Sequence, residues 1–274
     1  MNQVFSPGRF GLTFKKYVGE RRRQFAIYLI VFFGVMVAMW FVPLVLFDGI
    51  SMYRDYAANP EYYDTSVDPF WRAGYFAYMF ALFALGAISA SMAFSSMASK
   101  EGRISTMMTP ASTFEKWLTR FLVYIVLFSA VYTLFFYISD GLRVGYIRLF
   151  TDYGSYAGSI SLYETFNGGG ADDGGILGAV TFSSFLMVIS TFTLGSAIWP
   201  KRALVYTIAA CFVLNIIFMS LSFPVLFSRN EVYDINLTSE EGKALILSVS
   251  ALFSAFLFWL CYLRFKESEV IERW

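Results

Sequence analysis

The sequence predicts an all-α polytopic membrane protein with six transmembrane helices and both termini cytoplasmic. Three observations carry this. Apolar residues make up 57% of the 274 residues and charged residues only 15%, where soluble domains run nearer 25% charged. Six apolar runs are long enough to cross a bilayer. Basic residues cluster on one side of those runs.

A span needs about 20 apolar residues, because the hydrocarbon core is about 30 Å thick and a helix rises about 1.5 Å per residue. The runs at about 24–47, 73–97, 117–139, 176–199, 203–227 and 244–264 meet this length. None has a charge in its central part except the third, where Arg120 lies near the start. With a cytoplasmic N-terminus, 15 basic residues fall inside and 6 outside, while 14 acids fall outside and 6 inside. That asymmetry sets the orientation. The first run is too long for a cleaved signal and lacks a small-x-small exit site. "RRRQF" at 21–25 loosely resembles a twin-arginine signal, but a positive-inside anchor accounts for it.

Ahead of the first run, residues 9–22 form an amphipathic helix. Phe10, Phe14, Tyr17 and Val18 make one apolar stripe, with Lys15, Lys16 and Glu20 elsewhere. Such a helix lies on the inner membrane surface, either as an anchor or with a mechanical role. The lipid bilayer is thus the first expected partner. Residues 48–72 read as an outer loop with Tyr62, Tyr63, Phe70 and Trp71 as an interfacial belt. Residues 140–175 read as the largest extracytoplasmic loop. Its "YETFNGGGADDGG" matches no cation-ligand spacing and reads as a flexible linker. Thr238 to Glu241, T-x-x-E, caps the start of the last span.

Inside the spans, Asn215 is the one amide at a span centre, a candidate intramembrane polar contact that should face a helix or a polar path. In the second span, Gly86–Ala90, Ala87–Ser91 and Ser95–Ser99 are small-x-x-x-small pairs that let helices approach closely. Pro43 and Pro224 fall near the outer ends of their spans, where a lost hydrogen bond disrupts least.

The chemistry is bounded by what is missing. There is no histidine, which removes Ser-His-Asp and Cys-His catalysis and His metal sites. Cys211 and Cys261 form no CxxC pair. No P-loop, H-E-x-x-H or G-x-S-x-G motif is present. The chain is therefore not expected to be an enzyme, and no metal or other cofactor is expected. The net charge of +1 says nothing about partners, and no nucleic acid is expected as one. No intramembrane acid pair suggests a proton-coupled carrier.

The richest polar segment is the inner loop after the second span, residues 100–116. It holds Lys100, Glu101 and Arg103, then Thr109-Pro110, read as a helix start with Pro at the first position. Ser112 and Glu115 form a second capping box, S-x-x-E, with Lys116 and Arg120 following at the inner surface.

This string, "EGRISTMMTPASTFEKWLTRFL", resembles the bacterial ABC-2-type transporter permeases, and more narrowly a subgroup with a "K.GR...L..PAS..EK...R" pattern. The matching residues are Lys100, Gly102, Arg103, Pro110, Ala111, Ser112, Glu115, Lys116 and Arg120. The resemblance implies the membrane subunit of an ATP-driven exporter in the bacterial cytoplasmic membrane. It implies a separate ATP-binding subunit, on which 100–116 docks as a coupling helix, and a second permease copy, identical or homologous. Lys100, Glu101, Arg103, Pro110, Ser112, Glu115 and Lys116 would then be the partner-binding set. Typical members carry short re-entrant helices between spans five and six, whereas here residues 228–242 form a short polar loop. The alternative is a non-transporting membrane scaffold or sensor that uses its extracytoplasmic loops for ligand or partner binding. A membrane enzyme is a distant third.

Overall fold

The computed structural model describes residues 5–46, 48–59, 68–160, 176–228 and 240–271. Among these the regular structure is all helical, with no strand. Four helices are long and apolar enough to cross a membrane: Arg22–Leu46, Thr113–Phe150, Val180–Ile198 and Ala244–Ser268. Phe76–Ser91 and Ala203–Phe218 are shorter apolar stretches.

Helix α1, Pro7–Glu20, opens with proline at its first position, where the missing N–H removes no helical hydrogen bond. It breaks for one residue at Arg21 before α2, Arg22–Leu46. A short helix the sequence reading did not anticipate, α3, covers Ile50–Ala58. Helix α4 runs Trp71–Ser91 and ends sooner than the predicted span, giving way to a 3-10 turn at Ser95–Ala98. Helices α5, Lys100–Met108, and α6, Thr113–Phe121, form the inner loop. From α6 the chain widens into a π-helical turn, Leu122–Leu127, and continues as α7, Phe128–Phe150. Helices α8, Ile176–Ile198, α9, Ala203–Ser228, and α10, Glu240–Ile271, complete the chain.

The helix that contains the third predicted span continues past residue 139. The helix Thr113–Phe150 has 38 residues, roughly 57 Å at 1.5 Å per residue, well beyond a hydrocarbon core of about 30 Å. Over 140–150 the buried side chains are Asp140, Arg143 and Ile147, while Leu142, Leu149 and Phe150 are exposed. Tyr62, Tyr63, the Gly168–Gly175 stretch and Thr238 lie outside the described residues.

The chain divides into two compact units. One comprises Met1–Phe14, Gly86–Ile125 and Ala179–Trp274; the other comprises Lys15–Leu85 and Val126–Gly178.

In the first unit, α6 packs on α10 through rings spaced three to four residues apart. Trp117 meets Tyr262 at 5.9 Å and Phe121 meets Phe258 at 5.2 Å between centroids. The small residues Gly86, Ala87, Ala90 and Ser91 are all buried, as close helix approach requires. Ser89 donates to the Tyr124 carbonyl at 2.8 Å, which satisfies an acceptor inside the π-helical turn. Gly195 faces α9, where a Cβ would come within 1.8 Å of the Thr207 hydroxyl oxygen, so α8 and α9 touch only because residue 195 has no side chain. Cys261 is buried and Cys211 exposed, both as free thiols.

In the second unit, α2 packs on α7 through Phe32–Phe128, Phe33–Phe135, Trp40–Phe136 and Phe41–Tyr146, with centroids 5.3–5.7 Å apart. Three of these pairs are edge-to-face, which at this separation adds to the attraction from burial. Part of the 20% aromatic content of the sequence thus lies on this seam.

Candidate functional site

The α5–α6 elbow is assembled by local signals written in the sequence. Ser99 has extended backbone, and its hydroxyl accepts from the Gly102 N–H, capping α5. Gly102 itself lies against the preceding 3-10 turn: a Cβ there would sit 2.0 Å from the Ser96 carbonyl oxygen. Glycine is therefore required by close approach and not by an unusual backbone angle.

Helix α5 stops at Met108 because Thr109 precedes a proline. The proline ring disfavours helical geometry one residue earlier, and Thr109 has φ −66° and ψ 125°. Pro110 thus acts as a stop, which corrects its reading as the first residue of a helix. The next helix begins at Thr113 and is capped by Ser112. The Ser112 hydroxyl accepts from the Glu115 N–H while the Glu115 carboxylate accepts from the Ser112 N–H, the full reciprocal box expected from S-x-x-E.

The same carboxylate binds the N-terminal segment. Glu115 Oε1 accepts from the Ser6 N–H at 2.8 Å and from Arg9 Nη2 at 2.9 Å, and Oε2 accepts from Arg9 Nε at 2.8 Å and Ser112 N at 2.9 Å. Two fork-like contacts from one guanidinium are the strong form of such a pair. The hydrogen bond to Glu115 raises the Arg9 pKa above its ordinary value. Around the pair, Phe5 meets Phe10 at 5.7 Å and Phe114 at 6.3 Å. The predicted stripe of α1, Phe10, Phe14, Tyr17 and Val18, is half-buried, and Lys15, Lys16 and Glu20 are exposed.

Two cations complete the elbow. Buried Lys116 donates to the Met107 carbonyl at 3.4 Å, tying α6 back to α5. Arg120 is buried between the rings of Phe94 and Phe265, 4.9 and 4.7 Å from their centroids, a cation–π sandwich.

The expected partner-binding set is therefore split. Glu115 and Lys116 are buried within the chain, and Ser112 is committed to its cap. Lys100, Glu101 and Pro110 are exposed and Arg103 is half-buried. Ile104 and Met108 add an apolar surface to α5, with Met108 80% exposed. Asn215 is not part of the elbow. It sits on α9, where residues 211–218 are all exposed.

Sequence reasoning missed Arg9 as the partner of Glu115, because a contact across 106 residues leaves no local spacing. It also missed a buried charge hub in the second unit. There Arg143 donates to Asp140 Oδ1 from Nε at 2.9 Å, to Asp68 Oδ2 at 3.0 Å, to the Tyr53 hydroxyl and to the Gly158 carbonyl at 2.9 Å. Asp68 also accepts from Tyr53 OH and from the N–H groups of Phe70 and Gly158. Asp140 accepts from the Ile160 N–H. Trp40 and Phe70 cover the guanidinium. Burial pushes the Tyr53 phenol well above its ordinary pKa, so it stays a donor. Phe70, expected in an interfacial belt, is instead a buried wall of this hub. The i,i+3 spacing of Asp140 and Arg143 was the one visible signal, and a charge tally by loop discards it.

No protein-family model matches the chain, and no curated protein or solved structure matches it.

Proposed function

We propose that this chain is the membrane-spanning permease subunit of an ATP-driven exporter of the ABC-2 type. The observation that carries the reading is the elbow. A capped helix pair is clasped to an amphipathic N-terminal helix by a single carboxylate, at the segment where a coupling partner would push. In this reading the six apolar helices are six spans, both termini are cytoplasmic, and the membrane is the bacterial inner membrane. The ATPase contacts the exposed face of α5, Lys100 and Glu101 with Ile104 and Met108, while Glu115, Lys116 and Arg120 transmit the displacement inward. A second permease copy completes the assembly. Asn215, in the otherwise apolar exposed run 211–218, fits a contact with that copy, since an amide facing lipid is costly.

The test is purification of the tagged chain from its native membrane. A P-loop ATPase should accompany it in stoichiometric amount, and the exchange Lys100→Glu with Glu101→Lys should deplete that ATPase while leaving the chain's own yield unchanged. Absence of any P-loop ATPase from the wild-type preparation overturns the reading. It would favour the scaffold or sensor alternative, for which the Arg143 hub supplies a rigid base.

A further inference from the structure

A cavity of about 320 Å³ lies in the first unit, lined by Met97, Ala98, Arg103, Trp199, Pro200, Lys201, Arg202 and Tyr206. Three of its eight lining residues are cations and none is an acid. Its walls come from the 3-10 turn, α5, and the tight turn joining α8 to α9. Lys201 and Arg202 are exposed on that turn.

The surroundings tell a phosphate held in water from one held at a membrane surface. The cavity sits where two apolar helices end, at Ile198 and Ala203. Trp199 and Tyr206 flank it, their ring centroids 6.1 Å apart, 37% and 46% exposed. Amphipathic rings of this kind settle at the level of lipid headgroups. Just along the helices, Ile198, Val205 and Ile208 are exposed apolar side chains. The site thus presents cations at headgroup level and a greasy surface below, the two halves of a phospholipid. Basic pockets between membrane helices suit anionic headgroups for this reason.

We propose that this cavity binds the phosphate of an anionic glycerophospholipid, with Arg103, Lys201 and Arg202 supplying the charge and the α8–α9 surface holding the acyl chains. The proposal needs only that these helices lie in a membrane and does not depend on the exporter reading.

The experiment uses the full chain purified in neutral detergent and titrated with phosphatidylglycerol, with phosphatidylcholine and inorganic phosphate as parallel arms. Thermal stability and native mass spectrometry of retained lipid are the readouts. Phosphatidylglycerol should raise the melting temperature and stay bound, and the other two should do neither. Lys201→Gln with Arg202→Gln should weaken phosphatidylglycerol binding about fivefold for each cation removed. Arg54→Gln, which removes an exposed cation on α3, should leave it unchanged. Lys201→Arg should retain binding. Equal retention by the wild type and the Lys201/Arg202 variant overturns the proposal. So does inorganic phosphate stabilising the chain as well as the lipid does, which would make the ligand a soluble anion. No ATPase is present in the experiment, so its failure is separate from failure of the exporter reading.

Discussion

The Arg143 hub and the Arg9–Glu115 elbow are both buried-charge junctions, yet they are built in opposite ways. In the hub, cation and acids are all sealed: Arg143 is 0% exposed at its side chain, Asp68 3% and Asp140 1%. In the elbow the acid is sealed at 0% and the cation is 38% exposed. A fully sealed cluster cannot open without stranding charge in a low-dielectric interior. A half-solvated arginine can exchange one partner for water, because its charged head already reaches solvent. The hub is therefore sealed on both sides of its charge pairs, joining α3, Asp68–Phe70, α7 and Gly158–Ile160, whereas in the elbow only the Arg9 side meets solvent and the sealed Glu115 carboxylate is held by four hydrogen bonds.

The sharpest way to break this contrast is Arg143→Met. It leaves two buried carboxylates without their cation and should cost about 3–5 kcal/mol, read as a large drop in melting temperature in detergent. Adding Asp68→Asn and Asp140→Asn should restore part of the loss. A small effect from Arg143→Met alone would remove the hub from this contrast.

A smaller effect is expected at the elbow from Gly102→Val. The added side chain collides with the Ser96 carbonyl and should cost about 1–3 kcal/mol, the usual range for overpacking. Because α5 is largely exposed, the loss should appear as faster amide exchange over 100–108 with little change in the melting of the rest. Uniform destabilisation would show that α5 is integral to the core.

The smallest effect is expected from Ser112→Ala, which removes the cap hydroxyl and should cost about 1 kcal/mol. Hydrogen exchange should rise over the first turn of α6. Since the Glu115 carboxylate keeps Arg9 and the Ser6 N–H, α1 should stay protected. Concerted loss of protection in α1 would mean that cap and clasp act as one unit.

Much of the elbow was legible. S-x-x-E announced a capping box because both partners lie within one helical turn. The α1 stripe was legible for the same reason, since 3.6-residue periodicity reports which face is covered. Pro110 reads as punctuation from sequence, but its sign is not legible there. The same ring that suits a helix start also ends the helix before it, and the choice was made by Ser112, a stronger cap two residues on. The extent of α7 was not legible, because hydropathy detects where lipid ends and not where a helix ends. The hub was least legible of all. Arg143, Asp140, Asp68 and Tyr53 looked like scattered outer-loop charge until tertiary packing sealed them together.

By itself the sequence determined that the chain is helical, that apolar helices suited to a membrane dominate it, and that the polar stretch at 100–116 is an organised elbow. Those properties follow from local periodicity, length and capping, which act within a turn or within one span. Tertiary structure alone decided that Glu115 faces Arg9, that Gly102 and Gly195 mark close approaches, and that Arg143 is buried with two acids. Those depend on which distant segments meet, and burial turns a charge from a surface ornament into a demand for a partner.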